Sequence, residues 1–200
     1  MADKSTTTSE RPFAFSGINH LALVCRDMAR TVDFYTNVLG MPLIKTLEIP
    51  GGAQHFFFDC GNGDSLAFFW FPNAPEASPG ISSAAQMPGG GDIVSAHGSM
   101  NHVAFDVPVD KFDEYVKKLQ ERGVETSPVL NHDDSETTVA KEMHPGVFVR
   151  SVYFRDPDGV LLEFACWTKT FGPEDALDLP ANAEGERVAA ASASEPAPVG

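Results

Sequence analysis

The stretch HPGVFVRSVYFRDPDGVLLE, residues 144–163, decides how the rest of the chain is read. Residues 148–154 are rich in Val, Phe and Tyr, the composition of a β-strand. Asp156-Pro157-Asp158-Gly159 is turn chemistry: Pro presets its own φ and Gly supplies the freedom to reverse. Residues 160–167 then read as a second strand. Glu163 lies inside it, among Leu161, Leu162, Phe164, Ala165 and Cys166. A carboxylate in so apolar a strand is costly to bury alone and needs a counter-charge, a proton or a metal.

Upstream, the chain alternates strands with helices. Residues 17–25 predict a strand carrying His20, and Asp27 predicts the N-cap of a helix over 28–39, closed by Gly40. Residues 42–48, 53–60 and 65–71 predict three further strands, the last two joined by the hairpin turn Gly61-Asn62-Gly63-Asp64. Residues 72–98, rich in Pro, Gly, Ser and Ala, predict a long linker or lid. The order then restarts: a strand over 99–107, a helix over 109–122 closed by Gly123, a strand over 124–130, a polar loop over 131–144, and the closing pair of strands.

This is a repeat. INHLALVCRDMARTVDFY and MNHVAFDVPVDKFDEYV share an Asn-His pair, the apolar alternation after it and the step from strand to helix. GNGDSLAFFW and DPDGVLLEFACW match as turn then strand. Each half reads β-α-β-β-β, and two such units can pair their sheets around a cleft. The expected layout is a leader over 1–15, an α+β domain over 16–168 made of two modules (16–71 and 99–168), and a largely disordered tail over 169–200.

Composition narrows the partners. Hydrophobic residues make up 42% of the 200 and charged residues 21%, enough for a sizeable core. The net charge of −14 argues against nucleic acid or an anionic membrane surface. There is no apolar run of about eighteen residues to cross a membrane, and the leader lacks an apolar signal core, so a cytoplasmic protein is expected. Cys25, Cys60 and Cys166 lie far apart beside apolar runs and read as reduced, buried thiols.

His20 and His102 fall at the same position of the repeat and would face each other across the shared cleft. The repeat gives Leu162-Glu163-Phe164 in the second module and Leu66-Ala67-Phe68 in the first. It therefore supplies two histidines and one carboxylate. Two imidazoles and a carboxylate on one side of a metal leave neighbouring positions open, which suits non-haem Fe(II) and O2.

On these residues the chain resembles the vicinal oxygen chelate superfamily. HPGVFVRSVYFRDPDGVLLE is similar to the signature of type I extradiol ring-cleaving dioxygenases, its parts being His144, Val152-Tyr153, Asp156-Pro157, Gly159 and Glu163. Those enzymes usually carry four repeats; this chain has two. The resemblance implies that His20, His102 and Glu163 bind Fe(II), with Mn(II) as the other metal, that Tyr153 hydrogen-bonds a substrate hydroxyl and that His144 holds or polarises the substrate. It assigns the acid–base histidine to His97. The implied substrates are a small aromatic diol and O2, and a homo-oligomer fits. Three other readings share the scaffold: a glyoxalase-like lyase or isomerase, a thiol-transferring resistance enzyme, and a non-catalytic drug-binding protein. The two remaining histidines, His55 and His132, read as structural.

Overall fold

The computed structural model describes residue 13 and residues 15–189. The expectations for 1–12, 14 and 190–200 lie outside the described residues. The first module runs β1 (His20–Cys25), α1 (Met28–Asp33), β2 (Leu43–Ile49), β3 (Ala53–Gly61) and β4 (Asp64–Trp70). Asp27 caps α1 by accepting the Arg30 N–H at 3.1 Å. The expected helix over 28–39 departs from α geometry after Asp33, where Phe34–Val38 widens into a π-helix around the fully buried Tyr35. At the β3–β4 hairpin Asn62 has φ 54° and Gly63 φ 85°, the paired positive values of a type I′ turn.

The second module runs β5 (Val103–Asp106), α2 (Phe112–Glu121), β6 (Leu130–His132), β7 (Val139–Ala140), β8 (Val149–Arg155) and β9 (Leu161–Trp167). The strand expected over 124–130 is a bridge from Thr126 to Phe154 followed by the short β6. The loop expected over 131–144 contains β7, which adds a fifth strand.

Both sheets follow one plan. The first is ordered β1-β4-β3-β2, with β1 parallel to β4; the second is β5-β9-β8-β6-β7, with β5 parallel to β9. The registers superpose the modules residue by residue. Ala22, two after His20, pairs with Ala67; Ala104, two after His102, pairs with Glu163. Ala67 then pairs with Phe57 across β3, and Glu163 with Tyr153 across β8.

The modules share one core. It joins Met28, Tyr35, Phe58, Leu66 and Phe68 of the first to Leu119, Phe154 and Leu162 of the second. Tyr35 donates its hydroxyl to Asp156 at 3.3 Å, and the Arg26 N–H reaches Asp158 at 3.0 Å, so the β8–β9 turn also docks on the first module. Strand alternation places Leu66, Phe68 and Leu162 on the opposite faces from Ala67 and Glu163. The two faces that carry His20 and Glu163 therefore turn away from the shared core. Among the described residues, His20 does not come together with His102 and Glu163 in a group able to hold a metal.

Residues 169–189 carry a single 3-10 turn, Pro173–Asp175, tied by Lys169 to Asp175 at 2.6 Å. Phe171 packs edge-on against Trp167 at 5.0 Å.

Candidate metal centre

Glu163 is 5% exposed, and its Oε2 lies 3.0 Å from Nε2 of His102. The other ring nitrogen of His102, Nδ1, meets Oδ1 of Asn101 at 2.9 Å. The Asn101 amide is oriented by its own donors: Nδ2 reaches the Ile93 carbonyl at 2.7 Å and Ser95 Oγ at 3.1 Å. Oδ1 therefore accepts, Nδ1 carries a proton, and Nε2 points at a carboxylate oxygen. Two acceptors at that distance need a proton or a cation between them. The donor set thus fits a divalent metal held by His102 Nε2 and Glu163.

Tyr153 completes this cell. It is 6% exposed, and its ring stands edge-on to His102 at 5.6 Å. Burial pushes its hydroxyl up to about 12, and the charge of Glu163 adds to the rise. At neutral pH it keeps its proton and is a hydrogen-bond donor. Ser151, two residues earlier on the same face, is fully buried. Its Oγ lies beside the Tyr153 hydroxyl, whose rise it tempers, and among the described residues is the one buried side-chain polar atom with no partner in full hydrogen-bonding geometry. Sequence reading missed Ser151. Its spacing from Tyr153 was visible, but an unpaired hydroxyl shows only in three dimensions.

The first module repeats the cell without its charge. His20 Nδ1 meets Asn19 Oδ1 at 2.8 Å, as His102 meets Asn101. Phe57 stands edge-on to His20 at 5.5 Å, as Tyr153 stands to His102. Ala67 occupies the place of Glu163 and is fully buried. Among the described residues no three His, Cys, Asp or Glu side chains gather closely enough to hold a metal ion. One chain therefore brings His102 and Glu163 together and leaves His20 on a separate face.

The remaining candidates sit elsewhere. His144 accepts the Gly146 N–H on Nδ1 at 3.0 Å and so presents its Nε2 proton to Asp133 Oδ2, also at 3.0 Å. The Ser135 hydroxyl, foremost, holds the Asp133 carboxylate below its ordinary range. His97 is exposed in the turn that the Ser99 N–H closes onto the Ala96 carbonyl. His55 is buried and stacked on Phe69 at 3.6 Å, a packing residue, and the half-exposed His132 bonds the Thr138 carbonyl at 3.2 Å. Cys25 and Cys166 are buried and Cys60 is half-buried, all as free thiols.

Duplicated β-α-β-β-β modules, each opening on an Asn-His pair and one ending on a buried carboxylate, define the class of fold. The sequence model of the Glyoxalase/Bleomycin resistance protein/Dioxygenase superfamily matches residues 17–164, and the chain belongs to that superfamily. A glyoxalase family protein from Enterococcus faecalis shares the fold with a TM-score of 0.53 and 26% identity, over 76% of this chain and 98% of that one. Metallothiol transferase FosB of Lysinibacillus sphaericus is 27% identical over 161 residues, 80% of this chain and 86% of FosB. The putative ring-cleaving dioxygenase MhqE of Bacillus subtilis is 29% identical over 114 residues, 54% of this chain and 32% of MhqE.

Proposed function

We propose that the protein is a metal-dependent dioxygenase that opens the ring of a catechol-type substrate, with Fe(II) or Mn(II) held by His20, His102 and Glu163. The observation that carries this reading is the uncharged, proton-bearing Tyr153 set beside the His102–Glu163 pair, with Ala67 where a fourth ligand would stand. A three-ligand site leaves room for two oxygens of a substrate and for O2. Fe(II), when bound, acidifies a coordinated hydroxyl and relays electrons from the ring to O2. The protein's own part is to bind and orient. Tyr153 donates its hydroxyl to one substrate oxygen. Ser151 offers a second hydroxyl on the same face. His144, whose Nε2 proton is shared with Asp133, is the candidate for holding or polarising the substrate, and His97 the candidate acid–base group.

His20 reaches the set from a second copy of the chain. Its face is turned away from the shared core, and Val24, Leu47 and Phe71 on that face are 49%, 39% and 38% exposed. Covering such an apolar patch with the site face of a partner would bring His20 of one subunit to His102 and Glu163 of the other.

A second reading has support in FosB, which aligns over most of both chains. A metal-dependent transfer to an anionic substrate would need cations at the site. Lys45, paired with Phe57, is on the first module's face; Arg155, on the second module's face, is already bound by backbone carbonyls. One assay separates the readings. Protein loaded anaerobically with Fe(II) is given a panel of catechols and O2, and in parallel fosfomycin with a thiol. Ring cleavage, read as yellow product, supports the dioxygenase. Inertness toward every catechol with iron bound, together with thiol consumption, would replace it by the transferase.

A further inference from the structure

The segment 72–98 is not an inert connection. Residues 78–83 close on themselves: the Gly80 N–H bonds the Ser83 carbonyl at 2.8 Å, and the Ser78 N–H bonds Ser82 Oγ at 3.0 Å. The next residue, Ala84, is fully buried and packs directly on Tyr153 and Leu161, with Met87 beside it. Arg155 fixes it there. Its guanidinium donates to the carbonyls of Ala84 and Ala85 at 3.1 and 3.0 Å and to that of Gly159 at 2.6 Å. An arginine spent on three carbonyls holds one piece of backbone against another with directional bonds. Further along, Ile93 and Ser95 hold the Asn101 amide that orients His102. The same strap thus bears on both sides of the His102–Tyr153 cell.

We propose that this strap is the wall of the substrate site, that Ala84 sets the size of the group admitted beside Tyr153, and that Arg155 is the latch that keeps it closed. The proposal rests on the metal-site reading above and adds to it a specificity-determining residue and a positioning residue. Ala84 is the smallest side chain that fills the contact. Glycine there would widen the site, valine would narrow it, and loss of the latch would free the strap.

The test has two arms, run on the full chain. In the first, Ala84→Cys and, as control, Ala85→Cys at the adjacent exposed position are alkylated with iodoacetamide, with site-resolved mass spectrometry as readout. The expected rate at residue 84 is at least about tenfold below that at residue 85, and adding Arg155→Met brings the two together. Equal rates with Arg155 intact, or protection that survives Arg155→Met, would overturn the latch. In the second arm, Mn(II)-loaded protein is titrated with acetohydroxamate, benzohydroxamate and naphthohydroxamate. These chelate an open metal whatever its natural substrate. Ala84→Gly should shift the preference toward the largest by about tenfold and Ala84→Val should shift it away. An unchanged size order in both variants would overturn the wall. Failure to hold Mn(II) at all would count against the ligand set instead, while the alkylation result would still decide the strap.

Discussion

The two site faces are built to the same register and, of three matched positions, differ at two. His20, Phe57 and Ala67 stand in the first module where His102, Tyr153 and Glu163 stand in the second. Both histidines present Nε2, because both give Nδ1 to the preceding asparagine. At the two positions that differ, only the second face has a carboxylate and a hydroxyl. Duplication conserves the geometry that aims an imidazole, while charge and proton-donating groups are concentrated on one face. A buried carboxylate is costly, and one per site is enough to hold a dication.

The largest effect is expected where the faces differ in charge. Glu163→Gln keeps the shape and removes the anion; the purified variant should lose its metal by elemental analysis while circular dichroism is unchanged. Retention of metal would show that Glu163 is not a ligand. Next come the asparagines that the faces share. Asn101→Ala and Asn19→Ala should each weaken metal affinity about 10–100-fold, since each frees a ligand ring to rotate. An effect at Asn101 alone would break the equivalence of the two histidines. Tyr153→Phe and Phe57→Tyr exchange the other difference. The first should lower kcat/KM for a catechol by roughly one to two orders of magnitude, the range of a lost hydrogen bond to a charged group, and the second should leave it unchanged.

The smallest effect concerns the turn that docks one module on the other. Burial pushes Asp156 up to about 6, against the N–H bonds it accepts from Val160 and Asp158. The folded state therefore holds this proton more tightly than the unfolded chain. The stability it contributes is fully present below about pH 4 and is lost as pH rises through about 6. Asp156→Asn should remove that loss, worth on the order of 1–3 kcal/mol between pH 4 and pH 7. Denaturant titrations of both proteins at the two pH values measure it, and parallel pH profiles would refute it.

Much of this was legible in the sequence because it is local. The Asn-His pairs, the type I′ turn at Asn62-Gly63 and the alignment of Ala67 with Glu163 all follow from periodicity and turn chemistry, and the strand registers reproduce them. The orientation of the site faces was not legible. It depends on which side of each sheet the modules bury, and Leu66, Phe68 and Leu162 are no more apolar in sequence than neighbours on the other side. The strap was visible as a Pro/Gly-rich stretch, but nothing in its composition marks Ala84 as the residue beneath Arg155. His144 keeps its signature spacing from Tyr153, yet its partner Asp133 lies eleven residues away in the loop read as merely polar.

On this proposal two unlike faces make one metal site by joining across two chains. The most direct test mixes His20→Ala chains with His102→Ala chains, allows subunits to exchange, and measures bound Mn(II). Each variant alone should bind none. In the mixture, half the dimers carry one site with both histidines intact, so binding should return to about a quarter of the wild-type level. Mixed dimers that form and stay empty would contradict the account.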